Sequence, residues 1–140
     1  MKKVLSIMAA TAFAIMLSSC SSNSPEGVVK KALDAALDGD GETYVELIFE
    51  YDESEWEGTD KKREREMARR ARDIEKNSKR NDKADDDERI ESFKIIDVTP
   101  DFEDEDRAEV EVKYFYADGH TQKMNYTVRR TTEGDWRILW

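Results

Sequence analysis

The chain is short of the residues that usually declare a catalytic or disulfide-stapled domain. Cys20 is the single cysteine among 140 residues, so no intramolecular disulfide can form and the usual staple of a small exported domain is missing. His120 is the single histidine, and it stands beside Gly119, where an exposed turn residue is expected. No serine, histidine and aspartate arrangement is visible. Positive charge is also scarce: 23 Lys and Arg against 33 Asp and Glu leave a net charge of −10, which argues against general binding of nucleic acid. The one long apolar run, Val4 to Leu17, has fourteen residues and is too short to span a bilayer. With 40% of residues charged, the core must be small.

What is present begins with an address. Lys2 and Lys3 precede the apolar run, which is the layout of a secretory signal that is removed and not folded. The run ends in Leu17-Ser18-Ser19-Cys20, which resembles the lipobox of bacterial lipoproteins. That resemblance implies cleavage after Ser19, diacylation of Cys20 and a membrane partner reached through it. Two acyl chains anchor firmly where one binds only marginally. Ser21, and not aspartate, follows the cysteine, so the same resemblance points to the outer membrane of the cell envelope. Residues 1–19 are then a lipoprotein signal peptide, 20–24 a lipidated tether and 25–140 a single domain. Loss of Lys2 and Lys3 leaves 21 basic against 33 acidic side chains, net −12.

The first half of the domain reads as helical. Ser24-Pro25 is an N-cap followed by proline at the first helical position, and Val28, Val29, Ala32, Leu33, Ala36 and Leu37 recur at helical spacing. Asp38-Gly39-Asp40-Gly41 should stop this helix, and a shorter one should run from Glu42 to about Phe49. Asp38, Asp40 and Glu42 hint at a calcium loop, but Thr43 stands where glycine should and Phe49 where a bidentate glutamate should, so no metal is assigned. Thr59 or Asp60 caps a long polar helix to about Asn81, with a narrow apolar stripe of Met67, Ala68, Ala71 and Ile74. Between Lys61 and Arg80 it carries ten basic against four acidic residues. Arg65, Arg69, Arg70 and Arg72 are the candidate surface for an anionic glycan or acidic partner. The plainer account is a solvated helix held by Glu66–Arg70 and Glu75–Lys79 pairs. A mobile acidic loop is expected from Asp82 to Glu88.

The last third reads as an antiparallel meander. Ala108, Val110, Val112, Tyr114 and Tyr116 alternate with charged residues, and Met124, Tyr126, Val128, Trp136, Ile138 and Trp140 continue the pattern at even positions. A two-residue turn at Asp118-Gly119 would put the apolar sets of its two strands on opposite faces. A three-residue loop, Ala117-Asp118-Gly119, with Gly119 left-handed, pairs Val112 with Met124 and Val110 with Tyr126 instead. The same construction at Thr132-Glu133-Gly134 pairs Val128 with Ile138 and Tyr126 with Trp140. All apolar residues then share one face. Glu109 and Glu111 point away from it.

Taken in order, Pro25-Glu26-Gly27-Val28-Val29, Ala36-Leu37-Asp38-Gly39-Asp40, Ala108-Glu109-Val110-Glu111-Val112 and Gly134-Asp135-Trp136-Arg137-Ile138 resemble the nuclear-transport-factor-two-like fold. This is a cystatin-like α+β architecture in which a curved four-stranded sheet wraps N-terminal helices into a cone. More narrowly, the chain looks like the lumazine-binding-like lipoprotein domains of Bacteroides-type bacteria, of unknown function. The superfamily also contains lyases, isomerases and hydrolases with a carboxylate and a tyrosine inside the cone. Here only Asp34, Glu46 or Asp97 could supply that acid, so a catalytic set is not assigned. The aromatic residues fill a core or line the mouth of a cone. For a pocket, the candidates are Tyr114, Tyr116, Tyr126 and Trp140. The resulting expectation is a lipid-anchored envelope domain that binds a small molecule or an envelope protein, without cofactor. The alternatives are a lyase or isomerase acting in the cone, and a structural envelope protein that uses its basic helix.

Overall fold

The computed structural model describes residues 24–140, so the apolar run and Cys20 lie outside the described residues. Helix α1 spans Pro25–Asp38 and starts as its sequence dictates, with the Ser24 hydroxyl accepting from the Gly27 amide at 3.0 Å. Val28, Val29, Ala32, Leu33 and Ala35 are its buried side. It ends at Gly39, whose φ of 77° is the left-handed conformation of a helix stop.

Asp40, considered above as a calcium ligand, is used as a cap: its carboxylate accepts from the Thr43 amide and hydroxyl at 3.2 and 2.7 Å. These bonds, the hydroxyl's first, hold its pKa below the ordinary carboxylate value. Helix α2 then covers Gly41–Glu46 and stops earlier than expected. The reason lies in the sheet. The Leu47 carbonyl accepts from the Ile138 amide at 2.8 Å and Ile48 bridges Ile138 in parallel, so both residues leave the helix to cover a strand edge. A single 3-10 turn, Phe49–Tyr51, follows.

Helix α3 runs from Asp60 to Lys83, with Thr59 as N-cap. It presses so closely on α2 that a Cβ on Gly41 would stand 2.1 Å from the Ala71 carbonyl oxygen. Its seam is Met67, Ala71 and Ile74, continued by Ser78 and Asn81; Ala68, expected in it, is exposed. Among the described residues neither the Glu66–Arg70 nor the Glu75–Lys79 pair forms, and Arg63 with Glu53 is the one ion pair on this helix. Asp82 belongs to the helix. The acidic residues after it are tied down by the Asp85 carbonyl, which accepts from the Glu88 and Arg89 amides, and by Asp86, whose carbonyl accepts from the Asp118 amide at 3.1 Å.

The sheet has the order β1–β2–β3–β4, antiparallel throughout, with β1 at Ile90–Asp101, β2 at Asp104–Tyr116, β3 at Thr121–Arg130 and β4 at Trp136–Ile138. This is the α+β cone expected from the sequence. Val112 faces Met124, Val110 faces Tyr126 and Val128 faces Ile138, as parity requires. Gly119 and Gly134 supply the left-handed positions of both loops, at φ 96° and 93°. One expected pair is absent. The strand ends at Ile138, the last bond to β3 runs from the Leu139 amide to the Thr127 carbonyl at 3.0 Å, and the Trp140 amide donates to a Glu50 carboxylate oxygen at 3.0 Å instead of pairing with Tyr126. Met124 also departs, 44% exposed, because β3 runs past the helices that cover its other half.

Strand β1 changes parity. Register irregularities at Ile90/Ser92, Ile95/Asp97 and Pro100/Asp101 turn Phe93, Ile95 and Val98 toward the core and leave Ile96 outside. Pro100 is tolerated because β1 is an edge strand. The core sits between the sheet and α1–α2. Val28, Val29, Ile48, Val110, Val112 and Val128 are its fully buried members, each contributing about 1.5–3 kcal/mol of burial.

Candidate functional site: a hydroxyl-walled cavity in the cone

Beyond Val112 the space between sheet and helices is not filled. A cavity of about 410 Å³ opens there, with Leu33, Ala36 and Leu37 of α1 on one wall and Tyr114 and Tyr126 of the sheet on the other. Tyr44 and Ile74 close its inner end. Arg80 and Glu88, both exposed, stand at its rim. Ser78 and Asn81 also line it, but their polar atoms are already engaged. The Ser78 hydroxyl donates to the Leu37 carbonyl at 3.0 Å, and the Asn81 amide group exchanges two 2.9 Å bonds with the backbone of Ile90.

The chemistry of the wall is phenolic. Tyr114 and Tyr126 lie on adjacent strands, where Tyr126 faces Val110 and Tyr114 faces Gln122, and reach across the diagonal so that their hydroxyls hydrogen-bond to each other. Burial pushes the Tyr114 pKa far up, and its bond to Tyr126 and the nearby Tyr126, Tyr44 and Tyr116 add to the shift. Burial raises Tyr126 as well, against the lowering effect of its bond to Tyr114. Tyr44 is pushed up to about 12, first by burial and then by the neighbouring Tyr126. All three are therefore neutral at physiological pH and offer O–H donors and oxygen acceptors in a place poor in water. Asp34, Glu46 and Asp97, the acids considered for the cone, are all exposed, and Glu88 is the one carboxylate in the lining.

The four pocket candidates separate. Tyr114 and Tyr126 line the cavity. Tyr116 lies outward along β2, where its hydroxyl donates to Gln122 at 2.8 Å and its ring stacks on His120 at 4.3 Å between centroids. Trp140 is on the far side of Tyr44, edge-on to it at 6.2 Å and 55% exposed. The arginines separate too. Arg70 turns inward, donating to the Tyr51 hydroxyl at 3.2 Å with its guanidinium 4.4 Å from the centre of the Trp140 ring. Arg65, Arg69 and Arg72 are exposed.

Sequence reasoning overlooked the floor of the cavity, Leu33, Ala36, Leu37 and Ile74, because apolar residues on helices read as core. One signal was available. The stripe Met67, Ala71, Ile74 continues in register to Ser78 and Asn81, so the seam of α3 turns polar where the cavity begins. Among the described residues no group of three or more His, Cys, Asp or Glu could hold a metal, and no helix is long and apolar enough to cross a membrane.

Comparison with known proteins agrees with this architecture. A family model described as "Domain of unknown function (DUF4878)" matches residues 18–139. A crystal structure described as an NTF2-like transpeptidase from Campylobacter jejuni superposes with a TM-score of 0.62 at 17% identity, covering 84% of this chain and 98% of that one. At that identity the likeness is one of fold. No curated protein matches the chain.

Proposed function

Since the chain belongs to the DUF4878 family, and its fold is NTF2-like, we propose from its own geometry that it is a small-molecule binding domain whose site is the open end of the cone. The observation that carries this reading is the cavity of about 410 Å³ with an apolar helical wall facing the Tyr114–Tyr126 hydroxyl pair. That volume lies within the range of small-ligand pockets, and apolar walls with a few placed polar groups are their usual construction. The ligand is amphipathic, with a flat or aliphatic body against Leu33, Ala36 and Leu37 and a polar group bonded to the tyrosines.

Binding is favoured over the lyase or isomerase chemistry that the superfamily resemblance implies, because that chemistry uses a carboxylate inside the cone and Glu88, the one carboxylate in the lining, stands exposed at the rim. Transpeptidation, suggested only by the other protein's description, is not supported at this site. The one serine in the lining, Ser78, already donates its hydroxyl to a backbone carbonyl.

We further infer that the domain is exported and held on the outer membrane through diacylated Cys20. Lys2, Lys3, the apolar run and Leu17-Ser18-Ser19-Cys20 support this. The binding test uses 8-anilinonaphthalene-1-sulfonate. The native protein should bind one equivalent with enhanced emission, and Ala36→Leu, which fills the cavity, should abolish this at an unchanged or higher Tm. Equal binding by Ala36→Leu would rule the cavity out. For the anchor, cells fed a labelled fatty acid should label the native chain but not Cys20→Ser.

A further inference from the structure

The outward face of α3 presents a second feature that the cavity does not use. Arg65, Arg69, Arg72, Lys76, Lys79 and Lys83 follow one another at intervals of four, three, four, three and four residues. That alternation keeps all six within one arc of the helix, opposite the seam of Ala71, Ile74 and Ser78 that packs on the body. All six are exposed. No acidic residue falls inside the arc; Glu64, Glu66, Asp73 and Glu75 lie on its flanks. Among the described residues none of the six takes part in a salt bridge.

This cationic line belongs to an acidic molecule. Helix α3 carries eleven basic and six acidic side chains, and the rest of the described chain ten basic and twenty-seven acidic, net −17. A helix that is merely solvated interleaves its charges at i and i+4. Here like charges are stacked along one edge, which repels itself until an anion lies against it.

We propose that this face is a binding track for a linear anionic polysaccharide that carries carboxylates along its length. At 1.5 Å of rise per residue the six cations extend over about 27 Å, with successive charges about 5 Å apart along the axis. That step is close to the length of one sugar in an extended chain. A thin strand can follow the track alone. A flat anionic membrane would bring the surrounding acids within the Debye length of about 8 Å and be repelled by them. The face also lacks what other polyanionic partners use: apolar and aromatic anchors for an acidic protein, and stacking aromatics for single-stranded nucleic acid.

The experiment titrates end-labelled oligogalacturonates, from dimers to about dodecamers, with the full chain at several salt concentrations. Affinity should rise with length until about six sugars span the track and then level off, falling with added salt. Neutral dextran of equal length should not bind. The exposed triple variant Arg69→Gln, Arg72→Gln, Lys76→Gln should lose at least about tenfold in affinity and show a shallower salt slope, at unchanged Tm. Should that variant not fold, Lys79→Gln with Lys83→Gln in the last turn is read in its place. Unchanged binding by the folded variant, or no dependence on length, overturns the proposal. So does tighter binding to phosphatidylglycerol vesicles or to polyglutamate at matched charge.

Discussion

The two ends of the cone are built from the same strands and differ in how they are finished. At one end Val110, Val128, Ile48 and Ile138 meet Val28 and Val29 with almost no exposure, and the edge of β4 is closed by Leu47 and Ile48. At the other, four residues further along β2, Tyr114 faces a space that α1 and α3 do not fill. The filled end uses β-branched side chains that interdigitate, whereas the open end uses rings whose hydroxyls satisfy each other. A short domain without disulfides thus concentrates its stability at one end and leaves the other vacant.

Truncation should expose this asymmetry most strongly. Ile48→Ala should cost about 4 kcal/mol, because it removes a fully buried side chain from a packed site, whereas Leu37→Ala, which only widens an existing cavity, should cost about 1 kcal/mol. Equal losses in chemical denaturation would abolish the distinction between the ends.

The filled end is also closed by charge. Asp52 and Arg137 pair at 3.1 Å with side chains only 14% and 16% exposed. Burial alone would raise the Asp52 pKa, but the Ser54 hydroxyl and amide, followed by Arg137, outweigh it and hold the carboxyl below its ordinary value. Asp52→Ala should cost about 3 kcal/mol by removing the close partner of Arg137 and leaving it only the longer 3.8 Å contact with Asp135. Because the folded pKa is the lower one, the stabilisation is complete above the unfolded value of about 4 and is lost as pH falls through the folded value. Acid unfolding should therefore be shallower in the variant than in the native chain.

The open end should respond at the opposite limit of pH. The Tyr44 pKa is raised to about 12 from the ordinary tyrosine value of 10.0, and those of Tyr114 and Tyr126 are raised as well. Their stabilisation is present below pH 10 and lost as pH rises through the folded values. Tyrosine absorbance should show the ionisation of Tyr44, Tyr114 and Tyr126 delayed until unfolding. Tyr126→Phe is the mildest change. It should alter stability by about 1 kcal/mol or less, yet weaken ligand binding about tenfold if the hydroxyl pair recognises the ligand. An unchanged affinity would assign the pair to structure alone.

The sheet was legible because parity and turn chemistry are local. The apolar even positions of β2, β3 and β4 admit only loops with a left-handed glycine, and Gly119 and Gly134 adopt them. Strand β1 was not legible, since three irregularities reverse which of its residues face inward, and nothing in Ile90–Asp101 marks them. Nor could the place of Trp140 be read, because Tyr44, Arg70 and Glu50 draw it off the ladder from distant parts of the chain. The cavity was half legible: two of its tyrosines follow from strand parity, but vacancy is a property of packing in three dimensions. A run of side chains does not state what will fail to fill the space beside it.

The hydrogen bond from Ile138 to Leu47 also sets an order in time. It joins the residue that follows the second helix to β4, so a chain emerging from its N-terminus must deliver residue 138 before the filled end can shut. Until then the apolar sides of α1 and α2 lack Trp136 and Ile138, the part of their partner surface that β4 supplies. Closing the filled end is thus a long-range step that waits on ninety intervening residues, and it sets the pace at which that end becomes solid.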